Sequence, residues 1–230
     1  FIIVNNFLFL IISMAVFKRN LTSKILEEQS AKVIAKKDYP ISILEVGCGN
    51  GNISLNLAKQ YPEHSFFASD ISTEAILEAR KTDSDSVTFL VSPGLDAWLD
   101  QKFDLVICDI SAISEEIANL SDWYEGISCN TGINGLDIVM PIIKDVKNIL
   151  NPKGIFIIPI ISLCNVKLQK QALNSVFLSI DYSQKVTWPM PKDLLLNMKK
   201  NSISLDSDYL DIERKFDLAV ASTYAGICYL

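Results

Sequence analysis

Apolar residues follow two rhythms along this chain. Short unbroken apolar runs alternate with longer stretches in which apolar positions recur every three or four residues, the marks of buried strands and amphipathic helices. Leu21 to Lys37 has helical spacing, with Ile25, Leu26, Val33 and Ile34 on one side, Thr22 or Ser23 placed to cap it, and Pro40 ending it. "ISILEV" (41–46) reads as a first strand. Ile53, Leu57 and Ala58 then mark a short helix that closes at Tyr61-Pro62. "SFFASD" (65–70) is a second strand, and "STEAILEARK" (72–81) a second helix of that series with a Ser/Thr-x-x-Glu type start. "VTFLV" and "FDLVICD" follow as third and fourth strands. Leu136 to Leu150 carries apolar residues at 136, 139, 143, 146 and 150, a helical stripe stopped by "NPKG" before a fifth strand, "IFIIPII". Val166 to Phe177 reads as a helix, and "SQKVTW" and "FDLAVASTYAGICY" as the last two strands. The polar stretch 189–215 between those strands is too long for a hairpin turn, and "PKDLLLNMKK" within it predicts an inserted helix.

Alternating apolar strands and amphipathic helices predict an α/β fold, with a mainly parallel sheet covered on both faces. At 230 residues the chain fits one domain spanning 21–230, preceded by an apolar segment 1–20. The opening "FIIVNNFLFLIISMAVF" is shorter than the roughly 20 apolar residues a membrane span needs, and Asn5 and Asn6 interrupt it. It also lacks the basic start and small-residue end of a secretory signal. Residues 1–13, ahead of Met14, are read as an extension upstream of the native start or as an ordered apolar helix; a membrane anchor is disfavoured.

Composition narrows the function. Hydrophobic residues make up 49% of the chain and charged ones 21%, so a large core is available and disorder is not expected. A net charge of −6 disfavours a broad nucleic-acid-gripping surface. Five scattered cysteines, Cys48, Cys108, Cys129, Cys164 and Cys228, form no C-x-x-C pair and have no histidine beside them. They read as small buried residues in a reducing, cytoplasmic setting, with no metal site. The single histidine, His64, is expected in a surface loop, and one histidine leaves little room for a Ser–His–Asp triad.

The loop "EVGCGNG" follows the first strand, where doubly wound folds bind ligands. Gly47, Gly49 and Gly51 allow a tight turn and close approach. A dinucleotide fingerprint would place its third glycine at position 52, where this chain has Asn52, and no G-x-x-x-x-G-K-[ST] phosphate loop is present. The loop therefore favours a nucleoside without a pyrophosphate. Asp70, ending the second strand, is placed to accept hydrogen bonds from both ribose hydroxyls.

With these elements in order, the sequence resembles the class I S-adenosylmethionine-dependent methyltransferases. "ILEVGCGNGN" looks like their first motif and "FFASDIS" like their second. The resemblance implies a Rossmann-like seven-stranded sheet with a reversed last strand and S-adenosylmethionine as cofactor. It places Glu45, Gly47, Gly49, Gly51 and Asn52 around the methionine moiety, Asp70 on the ribose and Ile71 against the adenine. "GINGLDIVMPIIKDVKNILNPKGIFIIPI" is similar to the corresponding part of release-factor glutamine methyltransferases and their small-domain relatives. Their Asn-Pro-Pro-Tyr motif is absent: "CDISA" places Asp109 at the asparagine and Ala112 at the tyrosine. Asn offers a donor and an acceptor, whereas ionised Asp only accepts, so amide methylation by that motif is not supported. Asp109 is read either as a proton acceptor that orients an amine or hydroxyl, or as the cap of a helix starting near Ser111. Pro93 stands where relatives hold the adenine amino group with Asp, leaving Asp96 or the backbone near Gly94 for that role.

Residues 112–135 carry Glu115, Glu116, Asp122 and Glu125 with Trp123 and Tyr124, a candidate substrate lid whose acidic and aromatic character suits a cationic protein segment. The bland alternative is a solvated acidic loop. Trp188 in "TWPMPKDLLL" marks a second candidate rim, with a plain strand exit as its alternative. Methyl transfer to a protein, a translation-related one among the candidates, is the expected activity. Transfer to a small molecule, or cofactor or partner binding without catalysis, are the alternatives, and oligomeric state is left open.

Overall fold

The computed structural model describes residues 20–83, 85–110, 112–124 and 129–230. The expectations for residues 1–19 and for Glu125 lie outside these. In chain order the regular elements are α1 (Leu21–Ile34), β1 (Ser42–Val46), α2 (Asn52–Gln60), β2 (Ser65–Asp70), α3 (Thr73–Thr82), β3 (Val87–Val91) and β4 (Phe103–Cys108). These are followed by α4 (Glu115–Leu120), α5 (Val139–Asp145), β5 (Leu150–Ile161), α6 (Val166–Val176) and β6 (Ser179–Tyr182). The last elements are β7 (Val186–Pro189), α7 (Lys192–Lys200), β8 (Glu213–Lys215) and β9 (Leu218–Tyr229).

The sheet runs β3-β2-β1-β4-β5-β9-β6, with β7 and β8 also paired to β9. From β3 to β5 neighbours are parallel, and β9 lies antiparallel between β5 and β6. This is the expected parallel sheet with a reversed last strand, extended by two short strands. Side-chain alternation splits the core into two apolar layers. Leu44, Val46, Val106 and Phe156 face α5 and α6. Ile43, Leu105, Ile107 and Ile157 face α1, α2 and α3. Burial on both faces explains why these strands read as unbroken apolar runs.

Several local expectations change. Asn20 caps α1, its Oδ1 accepting from the Ser23 N–H at 3.0 Å. Thr22 and Ser23 lie inside the helix instead. The stripe from Leu136 to Leu150 is helical over Val139–Asp145, and its end tightens into a 3₁₀ turn, Val146–Asn148. "NPKG" does not precede the fifth strand but bulges within β5, between the pairs Phe103–Leu150 and Leu105–Ile155, with Lys153 at φ 64°. "SIDY" (179–182) forms an edge strand that its shortness and exposure concealed.

His64 is buried rather than in a surface loop, because its Nδ1 accepts the Ile41 N–H at 3.3 Å and ties the entrance of β1 to the α2–β2 turn. All five cysteines are buried and unpaired. Among the described residues no helix is long and apolar enough to cross a membrane, and no cluster of His, Cys, Asp or Glu is arranged to hold a metal ion.

One feature of β9 shapes the functional edge. Its last pair with β5 is Ile161–Thr223, so residues 218–222 overhang the carboxyl end of the parallel strands. There β8 pairs with Val220, Ala219 and Leu218, while β7 pairs with Thr223 through Val220. A third apolar cluster forms on this platform, with Ile117 of α4, Leu194 and Met198 of α7, and Ala221 of β9.

Candidate functional site

The loop after β1 turns through Gly47 (φ 79°), Gly49 (φ 53°) and Gly51 (φ 79°), all in the left-handed region. At two of them space as well as conformation demands glycine. A Cβ on Gly47 would stand 2.5 Å from Ile110 Cγ1 and 3.2 Å from the Asp109 backbone. One on Gly51 would stand 2.8 Å from the Phe89 ring. The N–H groups of Gly47 and Cys48 both donate to Ser69 O, at 2.8 and 3.0 Å, binding the loop to the end of β2.

Asp70 sits at that end. Its Oδ2 accepts the Gly49 N–H at 2.8 Å and its Oδ1 the Ser72 N–H at 2.9 Å. The carboxylate is thus oriented from both sides by backbone, and each oxygen keeps a lone pair for a ligand hydroxyl. Ile71, next in the chain, is 75% exposed, an apolar face left uncovered beside a polar carboxylate.

Glu45, on β1, is buried on the α2 side of the sheet. Its Oε2 accepts from the Ser54 N–H at 2.9 Å and from the Ser54 hydroxyl, pinning the first turn of α2 under the loop. Its Oε1 is buried without a partner among the described residues. Asn52 opens α2 and donates from Nδ2 to Asn50 Oδ1 at 2.7 Å. Gly94, with φ 50°, is half-buried in the turn after β3, and Asp96 is exposed.

Asp109 follows β4, its N–H donating to Val46 O at 2.9 Å so that it lies against the glycine loop. The structure removes the capping role: α4 starts at Glu115, preceded by Ser114. Asp109 Oδ2 instead accepts from the hydroxyl of Ser23, on α1, at 2.6 Å. The pairing spans 86 positions of sequence. Local patterning offered Ser23 only as a cap, so nothing in the sequence could have shown it at the site.

Burial dominates the electrostatics. It raises Asp109 to about 7; the Ser23 hydroxyl lowers it and the charge of Asp70 adds to the rise. Burial raises Glu45 to about 8, opposed by the Ser54 hydrogen bonds and assisted by Asp109 and Asp70. Cys48, in the loop itself, is pushed up by burial and the same carboxylates, so it stays a neutral thiol and not a nucleophile.

A stability prediction follows. Raised carboxyls favour the folded state when protonated, so their contribution is complete below about pH 4 and is lost as pH rises through 7 and 8. Each group contributes at most about 1.4 kcal/mol per pH unit to that decline. The urea midpoint of the cofactor-free protein should therefore fall between pH 5.5 and 8.5, and Glu45→Gln should flatten the fall. A midpoint that rises over this range contradicts the buried-acid picture.

The two candidate rims meet. Trp123 and Trp188 pack edge-to-face, their centroids 5.8 Å apart, and Trp188 Nε1 donates to Thr223 Oγ1 at 3.1 Å. Tyr124 packs against the third apolar cluster. Two of the acidic residues are tied down rather than displayed. Glu115 Oε2 accepts the Gly132 N–H at 3.1 Å, and Glu116 accepts from the Tyr209 hydroxyl at 2.5 Å. Residues 112–124 and the insertion thus share one packed cap over the carboxyl edge.

Residues 37–193 match the family model described as a methyltransferase domain. A bifunctional methyltransferase of Rickettsia typhi is 32% identical over 151 residues, 61% of this chain and 28% of that protein. A release factor glutamine methyltransferase of Dictyoglomus turgidum is 45% identical over 58 residues, 25% of this chain and 20% of that protein. The chain spans about a third or less of the length of these curated relatives. Among solved structures, a precorrin-6y C5,15-methyltransferase of Geobacter metallireducens superposes with a TM-score of 0.57 at 11% identity, covering 94% of each chain, a likeness of fold.

Proposed function

Because the chain belongs to the methyltransferase-domain family, we propose that it transfers a methyl group from S-adenosylmethionine to a protein acceptor, with the cofactor held between the glycine loop and Asp70. The observation that carries this reading is the loop itself. Gly47 and Gly51 leave no room for a side chain, and Gly49 is bonded to the carboxylate that would take the ribose.

The residues present fit that cofactor. Asp70 is fixed with lone pairs to spare, Ile71 offers an apolar surface for a purine, and the acidic Asp70 and Asp109 stand beside the loop, which suits a cationic ligand. When bound, the sulfonium supplies the reactive methyl carbon, and the protein needs no nucleophile of its own. The roles left to this chain are alignment and exclusion of water. Glu45 holds α2 beneath the loop, and Gly94 or Asp96 closes the adenine side. Trp123, Tyr124 and Trp188 form the rim past which the acceptor enters. Asp109, raised toward neutrality beside the loop, accepts a proton from the attacking amine or hydroxyl or orients it.

A protein acceptor is supported by the release factor glutamine methyltransferase relatives, which by name act on a protein of translation. Asp109 in place of an amide donor favours an amine or hydroxyl over a glutamine amide on that acceptor. Labelled methyl transfer from S-adenosylmethionine to a cell extract, followed by size separation, tests the reading. Label in macromolecules supports it, and label confined to small molecules moves the acceptor to that class. Calorimetry showing no S-adenosylmethionine binding to the full chain overturns the enzyme reading altogether. In the same transfer assay Asp109→Asn should lower turnover by roughly 10²-fold, the low end for loss of a positioned base. Intact turnover would remove the proton-accepting role.

A further inference from the structure

We propose that Asn20 and Ser23, at the start of α1, form a positioning relay that holds the Asp109 carboxyl in one orientation in both of its protonation states. This rests on reading Asp109 as the group that meets the methyl acceptor. Ser23 is buried, and its hydroxyl lies between two oxygens: 2.6 Å from Asp109 Oδ2 and 3.4 Å from Asn20 Oδ1. A hydroxyl has one proton to give and lone pairs to accept. With Asp109 ionised, that proton points along the short contact. Once Asp109 has taken a proton from an acceptor, it becomes a donor to Ser23 Oγ, and the Ser23 proton swings to Asn20 Oδ1. The carboxyl stays in place through the change, which is what a base used repeatedly requires.

Asn20 is suited to the outer position. Its Oδ1 already accepts the Ser23 N–H at 3.0 Å as the cap of α1, so its orientation is set before the hydroxyl turns to it. The longer outer contact makes the ionised state the better held of the two. Among the described residues, Ser23 is the side chain that hydrogen-bonds the Asp109 carboxyl. Asp70, at the end of β2, raises it by its charge, and Asp109 in turn raises Glu45 of β1, Cys48 in the loop and the adjoining Cys108; the first two are carboxyls and the others buried thiols. Among the described residues none of these is a cation. A lysine at position 23 would lock Asp109 ionised, and an alanine would leave it unsupported.

The relay makes opposite predictions for its two members. The full chain, labelled with ¹³C at aspartate side-chain carboxyls, is titrated by NMR; the Asp109 signal is assigned by its loss in Asp109→Asn. Ser23→Ala removes the donor to the ionised form and should raise the midpoint by about half to one pH unit. Ser23→Thr should restore it. Asn20→Gly, which costs α1 only a few tenths of a kcal/mol as a cap, removes the partner used in the protonated state and should move the midpoint down. An unchanged midpoint in Ser23→Ala, or an upward shift in Asn20→Gly, overturns the relay. Titration needs no turnover, so its failure is distinct from intact turnover in Asp109→Asn, which would strike the catalytic reading itself.

Discussion

Gly47→Ala is expected to cost about 2–5 kcal/mol of folding stability and to spoil the proposed cofactor loop. Two effects add. An alanine at φ 79° carries a backbone penalty of roughly 1–2 kcal/mol. Its Cβ would also stand 2.5 Å from Ile110 Cγ1 and 3.2 Å from the Asp109 carbonyl, an overpacking of about 1–3 kcal/mol. Ile110 can turn aside, but the Asp109 carbonyl is backbone, held against β1 by the Asp109 N–H to Val46 O bond. Relief must therefore displace either the loop or Asp109. Gly94→Ala is the comparator: φ is 50°, but the nearest atom to a new Cβ is 3.8 Å away, so only the backbone cost should appear. Urea denaturation of the two variants checks the difference. Equal losses would show that Gly47 is needed for its dihedral angles alone and not for close packing of the loop against β4.

Asp70→Ala should weaken S-adenosylmethionine binding by roughly 1–3 kcal/mol, the loss of charged hydrogen bonds to a ribose, or about 5- to 150-fold. Part of that loss is indirect. The carboxylate fixes Gly49 and Ser72 besides its proposed role on the ribose, so its removal frees two backbone N–H groups and loosens the loop. Asp70→Asn separates the contributions, because one amide oxygen remains for a backbone donor while the NH₂ opposes the other. Calorimetry on the full chain measures both variants. Affinity unchanged in Asp70→Ala would take Asp70 out of the cofactor site.

Much of this could be read from the linear chain because the signals are local. Strands buried on both faces must be apolar at successive positions, and β1 and β4 stand where such runs lie. The glycine loop was legible because only glycine is at ease at φ 79° against neighbouring strands. Asp70 was legible because the end of β2 is fixed by the same apolar count. The insertion's helix, α7, kept its amphipathic spacing. The fold class and the family resemblance both rest on such features.

What escaped was non-local. His64 sits in a polar stretch that reads as surface, yet β1 needs an acceptor for the Ile41 N–H, and the fold supplies an imidazole there. "SIDY" is too short to carry a strand signature: β6 is an edge strand of four residues, held by its ladder with β9, with Ile180 half-buried against the core. Glu115 and Glu116 read as a charged lid, but Gly132 and Tyr209 draw them into the cap.

By itself, then, the order of residues determined the parallel core of the sheet, most of its helices and the place of a glycine turn followed by a carboxylate. Each follows from backbone sterics and burial acting over a few neighbouring positions. Only the tertiary structure decided that Asp109 is no helix cap, because its partner Ser23 arrives from α1. It also decided that the two tryptophans of separate segments pack edge-to-face against each other. Contacts between residues far apart in sequence leave no periodicity to read, since they depend on where whole elements dock and not on the residues beside them.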